Sequence, residues 1–442
     1  MERYELPDGW EWMKLPDVAD IIMGQSPPGS TYNKSGNGLP FYQGKADFGN
    51  PFPSPRVYCT APKKVALPGD ILMSVRAPVG PTNLVNQECA IGRGLSIIRP
   101  KEGMPANYLR TYFTLIEQFI AELGTGSTFT SISRSDLEDL DIPVSPPSER
   151  QRIITKIESL FEQSRAARTA LTRVPALMSQ FRRAVLASAF RGELVEPDPS
   201  DEPATSLLER VNEARISNAS KKLAHSEVVD TDYLPEIPET WVWTTLEVLA
   251  EIRNGVTKGR DLNRFETVEI PYLRVANVQD GYLDLKEMKT IKVKKTEFEK
   301  IRLKPNDILF IEGGDRDKLG RGTVWRGEID VCTHQNHVHC ARLYLQDVVP
   351  DWVSFASQLS YARDYFFSAA NQTVNLASLN STQLKGLPVP LPPVNEQQRI
   401  LEKIKALFAQ ADIIEQAASA SLRRAEQVDQ SILARAFRGE LG

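Results

Sequence analysis

The sequence predicts an α+β protein with a pseudo-two-fold internal repeat. Two globular α/β modules are separated by two long helices, which pair as an intramolecular antiparallel coiled coil. Three observations lead there. The chain carries one long segment twice, ERQRIITKIESLF at 149–161 and EQQRILEKIKALF at 396–408, and each copy runs on to an identical AFRGEL at 189–194 and 436–441. The offset is 247 at both ends, and a gapless repeat of about 45 positions marks an element of fixed length, because loops tolerate insertions and spacers do not. The copies also share an apolar seam at alternating steps of four and three. The rest of each half repeats more loosely: Trp10-Glu11-Trp12 returns as Trp241-Val242-Trp243, and Pro40-Phe41-Tyr42 as Pro271-Tyr272-Leu273, both at an offset of 231. Pro68-Gly69-Asp70-Ile71-Leu72 returns as Pro305-Asn306-Asp307-Ile308-Leu309 at 237, and Ile142-Pro143-Val144 as Val389-Pro390-Leu391 at 247. Each half is a variable module followed by a constant helix.

In the first helix the seam is Ile153, Ile157, Leu160, Ser164, Ala167, Leu171, Val174, Met178, Phe181 and Val185. In the second it is Ile400, Ile404, Leu407, Ala411, Ile414, Ala418, Ser421, Ala425, Val428 and Ile432. A 3.5-residue period of this length is a coiled-coil seam rather than one face of a surface helix. Pro146-Pro147-Ser148-Glu149 and Pro392-Pro393-Val394-Asn395-Glu396 supply the starts, with Ser148 and Asn395 as N-caps followed by acid. About 40 residues give a helix of roughly 60 Å, which cannot bury its stripe alone. A module precedes each helix, so antiparallel pairing avoids crowding the modules together. Pro175 removes one backbone hydrogen bond inside the first helix and is expected to bend it.

The modules mix short apolar runs with turn signals. Residues 65–67, 70–73, 95–98 and 307–311 read as strands bounded by Gly or Pro, and 106–123 and 352–367 read as helices with aromatic residues at helical spacing. The chain therefore divides into a first module at 1–145, a central helix at 146–194, a connector at 195–235, a second module at 236–392 and a C-terminal helix at 393–442. The connector opens on an extended acidic stretch and holds a short helix at 206–215.

Composition excludes several classes. Of 442 residues, 41% are apolar and 25% charged, with no run near the length of a membrane span. The start, Met1-Glu2-Arg3-Tyr4-Glu5-Leu6, lacks the basic and apolar regions of a secretory signal. Cys59, Cys89, Cys332 and Cys340 are few and scattered, as suits reduced thiols, and a cytoplasmic protein is expected. A net charge of −4 argues against a chain that coats nucleic acid unaided. Any DNA contact must come from local clusters of basic residues, or be shared with partner subunits.

Catalytic motifs are absent. There is no GxxxxGK[ST] loop, no glycine-rich dinucleotide turn, no polar-Pro-Pro-aromatic segment to hold a flipped adenine, and no HExxH or CxxC. One cluster, Cys332-Thr333-His334-Gln335-Asn336-His337-Val338-His339-Cys340, holds three of the four histidines between two cysteines. Zinc suits that inventory, but strand alternation divides the ligands between two faces. A DNA-facing polar strand and an ordinary solvated strand are the other readings, and no metal is assigned.

These features resemble the specificity subunits of type I restriction-modification systems. The residues that carry the resemblance are the helix starts near Glu149 and Glu396, the two AFRGEL ends, and the connector Asp201-Glu202-Pro203-Ala204 with Leu207-Leu208-Glu209-Arg210. The module starts Leu6-Pro7-Asp8-Gly9-Trp10 and Ile237-Pro238-Glu239-Thr240-Trp241 complete the set. The resemblance covers nearly the whole chain. It implies that each module is a target-recognition domain reading one half of a bipartite double-stranded DNA target, with the paired helices as a ruler. It further implies that two methyltransferase subunits dock on the chain and carry the S-adenosylmethionine, that motor-nuclease subunits join them, and that this chain binds no cofactor and catalyses nothing. The chain stops at Gly442, just after the second AFRGEL, so the first module is expected to dock against that end. A helical adaptor that reads no DNA is the alternative.

Residue types that pair with bases or phosphates give the candidate contacts. In the first module these are Ser26, Tyr32, Asn33, Lys34, Gln43, Lys45, Arg76 and Arg93. In the second they are Lys258, Arg260, Asn263, Arg264, Arg274, Asn277, Arg316, Lys318, Arg321, Gln335, Asn336 and His337. The run 316–321 beside Gly313, Gly314 and Gly320 leads, because glycines allow close approach to a groove.

Overall fold

The computed structural model describes residues 3–124, 130–218, 229–314, 319–372 and 377–441. It divides into two compact units, Met1–Arg173 with Ala417–Gly442, and Val174–Gln416. Each unit is built on the same plan, and each takes a stretch of both long helices, Pro147–Ala189 and Val394–Phe437.

In the first unit, Glu11–Lys14 pairs antiparallel with Asp141–Val144. A four-stranded antiparallel sheet runs in the order Ala19–Met23, Leu95–Pro100, Ile71–Ser74, Thr82–Leu84. Ile71–Ser74 is buried at every position, which is why Ile71-Leu72-Met73 reads as a continuous apolar run rather than an alternating one. A smaller sheet sets Leu39–Tyr42 parallel to Cys89–Ile91. The second unit repeats this. Val242–Thr245 pairs with Pro388–Leu391, the four-stranded order is Ala250–Asn254, Val338–Leu343, Ile308–Ile311, Gly322–Val324, and Thr267–Leu273 lies parallel to Thr333–His334. The pairings Ser74 with Leu95 and Ile311 with Val338 fix the equivalence of Arg93 with Asn336.

The Pro-Gly-Asp and Pro-Asn-Asp turns are repeated structural devices. Gly69 and Asn306 sit at φ 93° and 74°, the left-handed region that glycine and asparagine tolerate. The following aspartate is buried in both cases. Asp70 accepts from the Leu67 amide at 2.7 Å and pairs with Arg99 at 2.9 and 2.7 Å. Asp307 accepts from the Lys304 amide at 2.8 Å and pairs with Arg342 at 2.7 Å through both oxygens.

The helix ends close onto module starts. In the first unit Phe437 packs edge-on against Tyr108 and Tyr112, and the Tyr4 hydroxyl donates to the Phe437 carbonyl at 2.8 Å. Gly439, at φ 75°, leaves room for Pro7, whose Cγ would lie 2.3 Å from an added Cβ. The expected docking of the first module against the chain's C-terminal helix end is thus present. Gly192, at φ 74°, makes the same contact with Pro238 in the second unit. Trp10 donates to Glu149 at 3.0 Å, tying the first module start to the first long helix.

Within the first unit, Ile153, Ile154 and Ile157 share a core with Leu433, Ala436 and Phe437, while Arg168 pairs with Asp429 at 2.6 Å. Within the second, Val185, Leu186 and Ala189 share a core with Ile400, Leu401 and Ile404, while Arg182 pairs with Glu415 at 3.0 Å. In each unit the two stretches therefore run in opposite chain directions.

Several expectations shift. Ala167 and Phe181 are exposed, as are Ile414 (48%) and Val428 (45%), and their neighbours Arg168, Arg182, Glu415 and Asp429 take the shielded positions. From Ile153 to Ala189 the shielded residues recur every 3.6 residues, so the shielded face drifts from a 3.5-residue seam by about 20° per heptad. Ser148 and Asn395 lie inside the helices, which begin at Pro147 and Val394; proline is preorganised for a first helical position. The helix expected at 106–123 is two, Ala106–Leu115 and Glu117–Glu122, because buried Ile116 leaves the helical conformation. The one expected at 352–367 is Pro350–Ala356 and Ser360–Ala369, with the Ser357 hydroxyl bonded back to the Ser354 carbonyl at 2.7 Å. The connector helix is longer than expected, Ala204–Asn218.

Candidate nucleic-acid interface

Four segments far apart in the chain cross at one corner of the first unit. Gly24 donates to the Leu95 carbonyl at 2.9 Å, and an added Cβ there would lie 2.2 Å from the Gly92 oxygen. At Gly94 an added Cβ would lie 2.2 Å from the Gln43 oxygen. Only glycine permits such close backbone crossings. The Arg93 amide donates to the Ser26 hydroxyl at 3.2 Å, and the Val75 amide to the Gly94 carbonyl at 3.0 Å. Asp47, held by Arg56, accepts from the Gln43 amide at 2.7 Å and fixes the fourth segment.

The crossing forms a pocket of about 180 Å³ lined by Ser26, Gln43, Gly44, Lys45, Ser74, Arg76, Ala77, Arg93 and Gly94. Its floor, Ser74 and Gly94, is buried, and its rim, Lys45, Arg76 and Arg93, is exposed. Among the described residues no carboxylate lies within ion-pair distance of those three cations. Burial raises the pKa of Glu117, and nearby Lys45 opposes that shift. Five of the eight expected contacts of this module, Ser26, Gln43, Lys45, Arg76 and Arg93, converge here. Sequence reasoning missed Ser74 and the glycines; the Gly92-Arg93-Gly94 spacing was the available signal. Tyr32 and Asn33 instead hold their own loop. The Tyr32 hydroxyl donates to Pro27 at 2.7 Å and its ring lies 4.7 Å from Phe41, while Asn33 accepts from the Ser35 and Asn37 amides. Lys34 is exposed beside them.

The second unit keeps the frame and changes the side chains. Gly255 makes the same crossing, 2.3 Å from the His334 oxygen for an added Cβ, and the Gln335 amide donates to Leu273 as the Gly92 amide does to Tyr42. At the positions of Ser26, Gln43, Lys45, Arg76 and Arg93 stand Thr257, Arg274, Ala276, Gly313 and Asn336. Arg274 donates to the Glu287 carbonyl at 2.9 Å, and its buried Nε has no partner. Asn277 corrects the expectation: it is buried, accepts from the Arg274 amide at 2.9 Å and donates to Asp284 and Glu287 carbonyls, so its amide is spent on the loop. Arg260 pairs with Glu297, Lys258 lies over the Tyr272 ring at 5.4 Å, and the Asn263 amide donates to Asp261. Arg264 is exposed, and Arg321 reaches Gln279 at 3.1 Å. Arg316 and Lys318 lie outside the described residues.

The cysteine–histidine segment is two strands joined by a turn, not one strand. His334 is buried and donates from Nδ1 to the Val338 carbonyl at 2.5 Å, and burial pushes its pKa down to about 4. His339 contacts Asn254 and the Leu379 carbonyl. Burial raises the Cys332 thiol to about 12 and drives Cys340 upward. Gln335 and Asn336 are partly exposed, and exposed His337 contacts Glu312 at 2.7 Å. Among the described residues no cluster of His, Cys, Asp or Glu could hold a metal ion, and no helix is long and apolar enough to cross a membrane.

A second pair of features repeats. In the second unit a groove of about 820 Å³ lies between Leu186, Arg183 and Phe408 of the long helices and Tyr282, Phe355 and Leu359 of the module. In the first, a groove of about 490 Å³ is lined by Leu115, Glu117, Gln118 and Gln430. Gln430 is the repeat equivalent of Arg183, which lines the larger groove.

A family model described as type I restriction modification DNA specificity domain matches residues 7–172 and 238–424. The chain is 45% identical over 168 residues to the type I restriction enzyme MjaX specificity subunit of Methanocaldococcus jannaschii, a match spanning 36% of this chain and 39% of that one. It is 26% identical over 466 aligned positions to the type I restriction enzyme StySPI specificity subunit of Salmonella potsdam, covering 100% of this chain and 91% of the relative. The crystal structure of the HsdS subunit from Thermoanaerobacter tengcongensis shares the fold, with a TM-score of 0.62 at 19% identity over 99% of this chain and 98% of that one.

Proposed function

The chain belongs to the type I restriction modification DNA specificity family, and we propose that it is the sequence-reading subunit of a type I restriction-modification complex. Its two modules, 1–145 and 236–392, each read one half of a bipartite double-stranded DNA target. The observation that carries this reading is one backbone frame, used twice, with different side chains at every equivalent contact position. A shared frame gives both modules the same approach to a groove; unlike side chains let them choose different bases.

In the first module Lys45, Arg76 and Arg93 meet phosphates or guanine edges, and Ser26 and Gln43 supply hydrogen bonds. In the second the exposed Arg264 and the turn 335–337 lead, with Lys258, Arg260, Arg274 and Arg321 behind them. The long helices at 146–194 and 393–442 act as an antiparallel spacer that sets the separation of the half-sites. The net charge of −4 fits a subunit whose partners share the phosphate contacts.

The chain itself is non-catalytic and works in the cytoplasm. Two methyltransferase subunits, which hold the S-adenosylmethionine, dock on it, and motor-nuclease subunits join them. The two repeat-related grooves between module and helices support two equivalent docking places. The test is to map methylated adenines in a genome expressing this chain with its methyltransferase. A two-part motif with a constant gap is expected. Methylation without sequence preference would overturn the reading and favour an adaptor.

A further inference from the structure

The two long helices are copies of one segment, yet their central stretches differ in charge and size. Their ends are nearly identical, as the helix starts and both AFRGEL ends show. Their central stretches are not. Arg165, Arg168 and Arg182 of the first helix are replaced in the second, at the same offset of 247, by Asp412, Glu415 and Asp429. Three cations have become three anions. The residues that shield the middle differ in size in the same way: Leu171, Val174 and Met178 on the first helix correspond to Ala418, Ser421 and Ala425 on the second.

The contacts use this exchange symmetrically. In the first unit Arg168 meets Asp429 at 2.6 Å, and Ser164 donates to the same carboxylate at 2.8 Å. In the second unit Arg182 meets Glu415 at 3.0 Å and Asp412 beside it. Arg168 and Glu415 are one repeat position, and Arg182 and Asp429 another. Each contact joins one position to the other, with the cation always on the first helix. These side chains are between 24% and 29% exposed, sheltered enough for a like charge to be felt.

We propose that this exchange is a pairing code, which selects the first and second helices of the chain as partners and rejects a second copy of either helix. In the same antiparallel register, two first helices would set Arg168 against Arg182 twice, and two second helices would set Glu415 against Asp429 twice. Apolar packing alone does not forbid the first of these pairs. Two first helices would bring Leu171, Val174 and Met178 together, an apolar stripe that invites association unless charge opposes it. Two second helices would meet through small side chains and leave gaps. The partner rejected is a second copy of this chain, and the inference goes beyond DNA reading.

The test uses full-length chains and no DNA, so its outcome is separate from that of the proposed function. Arg168→Glu with Arg182→Glu makes both helices anionic; Glu415→Arg with Asp429→Arg makes both cationic. Each double variant should shift the urea unfolding equilibrium on the order of tenfold toward the unfolded state, and the quadruple charge exchange should recover most of that loss. An equimolar mixture of the two doubles should form a 1:1 complex by light scattering that neither forms alone, because like helices from the two chains now carry opposite charges. Doubles as stable as the parent, a quadruple no better than the doubles, or a mixture without the complex would each overturn the code. Should a double fail to fold, the quadruple decides: a folded quadruple supports the code and an unfolded one overturns it.

Discussion

Removing the cationic rim of the first-module pocket should change how DNA binding depends on salt, and in one half-site only. Lys45, Arg76 and Arg93 are exposed and without carboxylate partners among the described residues, so Lys45→Ala with Arg76→Ala and Arg93→Ala should leave the fold intact. Each phosphate contact contributes about 0.9 to the slope of log K against log salt, so three contacts amount to roughly 2.7. Over a rise from about 50 to 200 mM salt, the parent should lose roughly 40-fold more affinity than the triple variant. The assay is fluorescence anisotropy on the chain assembled with its methyltransferase partner, using DNA that carries the mapped target. Arg93→Lys keeps the charge, so it should preserve the parent's slope where the triple variant loses it. A triple variant with the parent's slope would refute the reasoning that this rim meets the DNA backbone. Equal changes in selectivity at both half-sites would refute its assignment to a single module.

Other outcomes follow from the same geometry. His334, whose pKa burial holds near 4 against an ordinary 6.5, stays neutral in the folded chain while the unfolded chain takes up a proton. Its contribution of about 3 kcal/mol is complete above pH 6.5 and lost as pH falls towards 4. His334→Ile, the residue of the equivalent Ile91, should flatten denaturant midpoints across that window, and an unchanged pH profile would count against it. Asp307→Ala strands the Arg342 guanidinium and should cost about 3 kcal/mol by urea titration. Asp70→Ala should cost less, because Arg99 is 33% exposed where Arg342 is 22%; the reverse order would contradict the burial argument. Four residues inserted after Ala167 lengthen the first helix by about 6 Å. They should change the gap in the methylated motif or abolish methylation, and full activity at the original gap would sink the ruler. Exchanging residues 1–145 for the module of a relative should alter one half of the motif and leave the other intact.

Much of the architecture was legible in the residues, because it rests on local or periodic signals. The repeat showed directly as a constant offset. The long helices showed as an apolar stripe between proline starts and AFRGEL ends. The Pro-Gly-Asp and Pro-Asn-Asp turns showed because a left-handed backbone position selects Gly69 and Asn306. The shielded face was read one residue off at 167 and 181, since a 3.5-residue template drifts from a 3.6-residue helix by about 20° per heptad. The break at Ile116 was hidden because it serves burial in the core and carries no proline or glycine.

Sequence alone determined that one module and one helix occur twice, and which residue types the variable loops offer. Tertiary structure decided which of them meet. Ser26, Gln43, Arg76 and Arg93 converge because strand pairing and glycine crossings bring segments up to about 70 residues apart to one corner, whereas Asn277, of equally suitable chemistry, is folded inward onto its own loop. Composition reports what a side chain can bond to; only the packed backbone decides whether that capacity is already used.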